Sequence, residues 1–262
     1  PAACAARGLT GFRCADAAFG ALALLYPQLV FAASEGGNTG ITIGGYDGER
    51  KPFIYVDFLS GAWGGRPWAD GLDGNTSMFV CMASFSVEVI EAENPLEVLD
   101  YEFVPDSGGP GRYRGGMAQQ RTWRMLAEEG ILQVRSDRHT HLPYGLQGGG
   151  PGTASQNTLN PGDGETPLRA KLTMTLRAGE VFRHRLPGAG GWGDPLARDL
   201  AAVARDLRDG LVSIEGAARD YGVVASGDPP AVDEEASTAL RAQLRAARGK
   251  APDVAWRPLH EG

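Results

Sequence analysis

The chain has 262 residues, a formal net charge of −7 and a pI near 5.2, with acidic and basic residues mixed along its length. That balance argues against nucleic acid or an anionic membrane as partner, and the length allows a substantial core in one large domain or two smaller ones. Glycine is the outlier at 38 residues, without a collagen-like period, and it clusters in five loops, which points to irregular β architecture.

Cys4, Cys14 and Cys81 form an odd set with no paired spacing. This fits a reducing, cytoplasmic setting and gives neither a disulfide framework nor a zinc signature. No uninterrupted apolar run has the length needed to cross a bilayer. The chain opens on Pro1, inside a stretch that reads as structured, and is expected to be the C-terminal piece of something longer.

In chain order, Thr10 to Tyr26 has a helical stripe through Phe12, Ala15, Phe19 and Leu22, and Pro27 ends it. Residues 34–45 (SEGGNTGITIGG) alternate glycine with Asn38, Thr39 and Thr42. They lack the lysine of a phosphate loop and read as a hairpin-rich stretch lining a cleft, with a short strand from Ile41 to Ile43. Pro52 to Leu59 reads as a buried strand. It runs into residues 60–74, where Trp63, Arg66, Trp68, Asp70 and Asp73 stand among glycines. Aromatic rings with an arginine and carboxylates on a stiff loop suit a small polar ligand, and equally a subunit interface.

Val87 to Phe103 reads as two short strands around Asn94-Pro95, with Glu91 and Glu93 on a solvated face. Asp106 to Gly116 (DSGGPGRYRGG) is the densest glycine loop. It could be a wide structural turn, or a rigid loop offering backbone N–H groups and the guanidinium forks of Arg112 and Arg114 to an anion. Met117 to Leu126 and Ile131 to Ser136 follow as an expected hairpin. The second strand ends in SDRHTH, where His139 and His141 would share one side of a strand, about 6–7 Å apart. With Asp137 they raise a metal site, but no further ligand is evident. An Asp137–Arg138 pair holding a turn, with the histidines at a pocket rim, is the simpler expectation.

Residues 143–164 form another glycine-rich excursion. Leu172 to Leu176 and Val181 to Leu186 then read as a hairpin, leading into a last glycine loop, 187–195 (PGAGGWGDP). Three short amphipathic helices follow, Pro195 to Leu207, Ser213 to Tyr221 and Asp233 to Arg248. A linker at 225–231 separates the last two, and Gly249 is the expected stop. The fold class is α+β: an N-terminal helix (1–35), a β-rich glycine-loop domain (36–195) and a C-terminal helical segment (196–262).

The run VEVIEAENPLEVLDYEFVPDSGGPGRYRGG, then SDRHTHLPYGLQGGGPG, PGAGGWGDP and RDLRDGLVSIEGAARDYGVV, resembles the hydantoinase B, 5-oxoprolinase and acetone carboxylase family in the same order. The resemblance spans about Val87 to Val224. It implies ATP-dependent ring opening of a lactam or hydantoin, or else carboxylation of a ketone. In such systems a hydantoinase A-type partner binds ATP and phosphorylates the substrate oxygen. The implied metal motifs belong to the N-terminal half of the B-type subunit, so ATP and a divalent metal are expected in the complex and not on this chain alone. A non-catalytic scaffold is the reading from a different class. On this resemblance Asp106, Arg112, Arg114, Asp137 and His139 are the catalytic candidates. Asn38, Trp63, Arg66, Asp70, Ser107, Gly108 and Gly109 would line the substrate pocket, and no metal ligand is assigned.

Overall fold

The fold is that of a computed structural model, which describes residues 7–37, 39–59, 61–75, 83–162 and 164–248. Helix α1 spans Arg7–Leu25, followed by a 3-10 turn at Pro27–Leu29. Strands β1 (Thr39–Tyr46) and β2 (Pro52–Leu59) lead to helix α2 (Val87–Glu93). Strands β3 (Leu96–Phe103), β4 (Gln119–Met125), β5 (Glu129–Arg135), β6 (Gln156–Leu159), β7 (Thr166–Leu168), β8 (Lys171–Arg177) and β9 (Val181–Arg185) complete the β region. The C-terminal part carries α3 (Leu200–Arg208), α4 (Ile214–Tyr221), the short hairpin β10–β11 (Val224–Ser226 and Ala231–Asp233) and α5 (Glu234–Arg248).

The strands form two antiparallel sheets, ordered β2-β1-β5-β8 and β3-β4-β9-β6-β7. Their inner faces bury one shared core: Ile41, Ile43, Tyr55, Leu132, Val134 and Leu176 from the first sheet meet Leu96, Trp123, Met125 and Phe182 from the second. Trp123 stacks on Phe182 at 5.8 Å. Such a sandwich follows from period-two alternation on each strand. Strand β2 shows it plainly, with Tyr55, Asp57 and Leu59 buried while Ile54, Val56 and Phe58 are exposed. The expectation of a fully buried strand there is therefore corrected to a half-buried edge strand.

Other expectations also change. Val87–Glu93 is a helix, because Ser86 caps it by accepting from Val89 N and its three glutamates and one alanine favour helix over its three β-branched residues; only Ile90 of it is buried. Residues 39–46 make one long strand and no hairpin cluster. Neither expected hairpin forms. From β4 to β5 the chain crosses between the sheets, and from β8 to β9 it crosses back. The two crossings lie side by side, joined by Ala178 N to Glu128 O (2.9 Å) and Gly179 N to Met125 O (2.8 Å). A three-residue connection with inward apolar residues on both sides suits a sandwich corner as well as a hairpin. The expected linker at 225–231 lies largely within the β10–β11 hairpin.

Helix α1 buries Leu9, Phe12, Asp16 and Ala23, while Leu22, Leu24 and Leu25 of its second half are exposed. The expected stripe through Leu22 is thus corrected. The window Gly8–Leu25 is long and apolar enough to cross a membrane by composition, with a mean hydropathy of 1.2. Its two charged residues, Arg13 and Asp16, are ion-paired to each other at 2.9 Å and to the β region.

The C-terminal helices have their own core of Val203, Leu207, Val212, Ala217, Tyr221 and Val223. Asp233 caps α5 by accepting from Ala236 N, as its position predicts, whereas Gly249 lies outside the described residues.

Candidate functional site

The strand register fixes where the glycine loops meet. Thr39 pairs with Leu59, Gly40 with Arg135, Phe103 with Gln119, and Arg185 with both Gln120 and Gln156. The glycine-rich segments therefore leave the same end of the sandwich. There they pack backbone against backbone. Segment 187–193 is the central one: Gly190 N donates to Ala33 O (2.8 Å), Gly65 N to Gly190 O (2.8 Å), Gly109 N to Ala189 O (2.7 Å) and Gly191 N to Gly150 O (2.9 Å). A sheet strand has two neighbours; this segment has four. Close approach requires glycine at its contacts, since a Cβ at Gly188 would overlap the carbonyl of Ser107 and one at Gly115 the carbonyl of Ala189.

The five loops are thus one rigid bundle, and this decides several of the candidates. Gly109 gives its N–H to Ala189, and Gly108 lies against the carbonyl of Gly115. Ser107 Oγ donates to Val104 O and accepts from Ala118 N. Asp106 has a left-handed backbone (φ 59°) and accepts from both Ser213 N (2.9 Å) and Ser213 Oγ (2.6 Å), bracing the start of α4. The Arg66 guanidinium donates twice to Asp70 O within its own loop, and Trp63 stacks on Phe31 at 5.7 Å. Asn38 lies outside the described residues.

Arg114 is buried and saturated. It grips both oxygens of Asp73 at 2.9 Å and donates to Asp206 at 3.2 Å; Arg198 links Asp206 (2.7 Å) to Asp70 (2.5 Å). Burial works against the Arg114 charge, but the hydrogen bonds and charge of Asp73 more than offset it and push its pKa up. Likewise burial would raise the Asp70 carboxyl, and the Arg198 contacts bring it below its usual value. This chain of two arginines and three aspartates joins the bundle to α3. The expectation that Arg114 presents its fork to an anion is corrected, since its Nε, Nη1 and Nη2 all donate to groups of the chain itself.

Arg112 differs. It is exposed beside the Tyr113 ring, 5.5 Å from its centre, and lines a cleft of about 460 Å³ with exposed Trp68, Asp70, Arg198, Asp199 and Arg205. Among the described residues neither Arg112 nor Arg205 has an ion pair.

A second polar cluster lies under α1. Arg138, at φ 63°, donates to Asp16 Oδ2 at 2.6 Å, and Arg13 approaches Asp137 at 3.6 Å. The expected Asp137–Arg138 pair is therefore replaced by two pairs to one turn of α1, Asp137 to Arg13 and Arg138 to Asp16, where residues of opposite charge stand three apart. Glu35 is only 2 % exposed, and burial pushes its carboxyl up to about 8 against the Gly37 N–H and the charges of Arg13 and Arg138. Nearby, His139 Nε2 lies 3.0 Å from Ser136 Oγ, which also accepts from Asn157 Nδ2; Asn157 Oδ1 is 2.6 Å from Nδ1 of buried His184. Burial lowers the His139 pKa and takes that of His184 down to about 3, so His184 is neutral. Strand β5 ends at Arg135, so His139 and His141 are in a loop; His139 is half-buried and His141 exposed.

The Arg112 cleft and the His139 region share no lining residue. Glu35, Asp16, Arg198, Arg205 and His184 carry no local pattern that marks them as site residues; Asp16 meets Arg138 and Arg198 meets Asp70 across 122 and 128 positions.

A family profile described as hydantoinase B/oxoprolinase matches residues 1–195. The chain is 31 % identical over 246 residues to the B-type subunit of a putative D-/L-hydantoinase from Pseudomonas sp. strain NS671, covering 92 % of this chain and 40 % of that one. It is 34 % identical over 241 residues to the beta subunit of caprolactamase from Pseudomonas jessenii, covering 87 % and 41 %. The crystal structure of the ATP-dependent caprolactamase from that organism superposes with a TM-score of 0.76 at 29 % identity, over 85 % of this chain and 40 % of the other. The chain spans about two fifths of the length of these relatives.

Proposed function

The chain belongs to the hydantoinase B/oxoprolinase family, and from that premise we propose that it is part of an ATP-dependent cyclic-amide hydrolase that opens a lactam or hydantoin ring after phosphoryl activation by a partner. The proposed partners are a hydantoinase A-type ATP-binding subunit and the N-terminal half of a B-type subunit, in a cytoplasmic complex. An amide carbonyl is a poor electrophile. Transfer of the ATP γ-phosphoryl group to its oxygen gives an imidate phosphate and ADP. Water then adds to the carbon, the C–N bond breaks as the nitrogen takes a proton, and the acyl phosphate left behind is hydrolysed to carboxylate and phosphate.

The observation that carries the site assignment is the pair of uncommitted guanidinium groups, Arg112 and Arg205, on one cleft beside Trp68. Two such forks suit the phosphate of the activated ring, with Trp68 as an apolar wall. Asp106 and Arg114 hold that rim in place, and Asp137 and His139 belong to the α1-covered region. The described residues bring no three His, Cys, Asp or Glu side chains together as a metal site. The metal that the family reading calls for does not fit them, and the ring-opening steps assigned to this chain do not pass through it.

In the assembled complex, Arg112→Ala with Arg205→Ala should raise KM for the ring substrate and slow ATP-coupled opening. Unchanged kinetics would remove the cleft from the mechanism. Products from a panel of hydantoin, 5-oxoproline, caprolactam and acetone with bicarbonate separate hydrolysis from ketone carboxylation.

A further inference from the structure

Glycine inside a strand weakens it, and it marks either a crowded spot or a place where another chain comes close. In the loop bundle the chain itself supplies the crowding. On β1 it does not. Apart from its chain neighbours, a Cβ at Gly40 would come no nearer than 3.7 Å to any atom and one at Gly44 no nearer than 3.4 Å, which are ordinary contacts. Gly40, Thr42 and Gly44 all face outward, because Ile41 and Ile43 alternate with them and are buried in the sandwich core.

The register sets what stands on either side. Opposite these three on β2 are Phe58, Val56 and Ile54, exposed by 46, 40 and 70 %. Opposite them on β5 are Arg135, Gln133 and Ile131, the last 50 % exposed. The outer face of the first sheet is therefore a trough, with small residues along its floor and larger side chains on both walls. Adjacent strands lie about 4.8 Å apart, so the walls stand about 10 Å apart, the width of one helix with its side chains. Beyond β2 the apolar surface continues over Phe85 and Val89, which share a cleft of about 340 Å³ with Ile54 and Val56. Beyond β5 it ends in Thr173 and Thr175 of β8. An apolar strip with a polar margin is the pattern of a protein interface.

We propose that this trough seats an α-helix with small and apolar residues on its inner face, contributed by the N-terminal half of a B-type subunit. The inference rests on the partner reading above and deepens it by naming the surface. The matched relatives carry the larger part of their length outside the region shared with this chain, in the same polypeptide, and that part is the cover available to a sheet face. A second copy in two-fold symmetry would bring trough against trough, and two concave floors leave a gap. A bilayer surface would call for cations around the apolar strip. The β5 and β8 margin has only Arg135 and Lys171 beside this floor, both at one end, on a chain of net charge −7.

The test needs no substrate. The full chain is co-expressed with the part of the Pseudomonas jessenii caprolactamase beta subunit that lies outside the matched region. The pair is followed by co-purification, calorimetry and hydroxyl-radical footprinting. A one-to-one complex is expected, in which Ile54, Phe58 and Ile131 are protected from oxidation. Gly44→Val raises the floor of the trough, and Ile54→Glu puts a charge on its wall. Each should weaken binding about tenfold or more, the worth of one well-buried apolar side chain. Neither should lower the Tm of the chain alone, because valine suits a strand with room for it and Ile54 is exposed. Should Gly44→Val destabilise the chain, the exposed Ile54 site decides the matter. A complex that leaves these side chains reactive and tolerates Ile54→Glu overturns the surface and keeps the partner. Failure to form any complex overturns both. Self-association of the chain that the variants abolish assigns the trough to a second copy and overturns the proposed occupant.

Discussion

Two charged regions of this chain are built from the same residue types and have opposite character. Around Arg114 and Arg198, donors and carboxylates alternate, and nearly every atom has a partner at 2.5–3.2 Å. Around Glu35 and Arg138, polar atoms are as deeply buried but several have none. The first pattern is that of a joint, in which pairing already completed within the chain fixes α3 against the glycine bundle. The second leaves buried donors and a carboxyl oxygen unmatched by the chain itself. Residue type alone would have assigned them the other way round, since the glycine loop with its two arginines looks like an anion cradle.

The contrast is tested most severely at Arg114. Replacing it with Ala takes the guanidinium from Asp73 and leaves Asp206 with Arg198 alone, and removing one partner of a buried pair costs about 3–5 kcal/mol. Urea unfolding should show that loss, and an unchanged midpoint would refute the joint. Next comes Gly188→Ala, where the added Cβ meets the Ser107 backbone carbonyl, which cannot swing aside. Overpacking of this kind costs about 1–3 kcal/mol, read as a lowered Tm. Tolerance of alanine would mean that the bundle is looser than its hydrogen bonds imply.

Glu35 probes the other side through pH. Its folded pKa is raised to about 8 from the usual value near 4.5, so below the lower value both states hold the proton and stability is full. As pH rises toward 8 the unfolded chain releases a proton that the folded chain keeps, and stability falls. The charges of Arg13 and Arg138 beside it oppose the shift without cancelling it. Burial raises the Asp16 carboxyl too, which adds a slope of the same sign, so the variant isolates the Glu35 share. Glu35→Gln should flatten the slope, gaining on the unaltered chain between about pH 5 and pH 9 by a few kcal/mol in urea unfolding. A parallel pair of pH profiles would exclude a proton held by Glu35. The smallest effect belongs to Arg112→Ala with Arg205→Ala, which touches no buried pair and should change stability by less than about 0.5 kcal/mol. A larger loss would show that these side chains hold the fold and are not free for a ligand.

Much of the outline was legible. Helix α1, strands β2 to β5, β8 and β9, and the C-terminal helices follow from periodicity, capping residues and proline stops. The motif string from Val87 to Val224 carries the family. Misreadings came where a local pattern admits two tertiary outcomes. The runs across 126–130 and 177–180 have inward apolar residues that suit either a hairpin or a corner, and only the partner sheet distinguishes them. The VEVIEAE run alternates like a strand, yet Ser86 and its helix-forming residues prevailed.

Most element types, the glycine clustering and the family could be read along the chain, because they depend on nearest neighbours in sequence. Only the folded arrangement reveals that five distant loops form one bundle, that Arg114 is spent on Asp73 and Asp206, and that Glu35 is left beside two arginines with an oxygen unmatched. Saturation of a hydrogen bond is a property of three-dimensional neighbours, and a residue's place in the chain does not encode it.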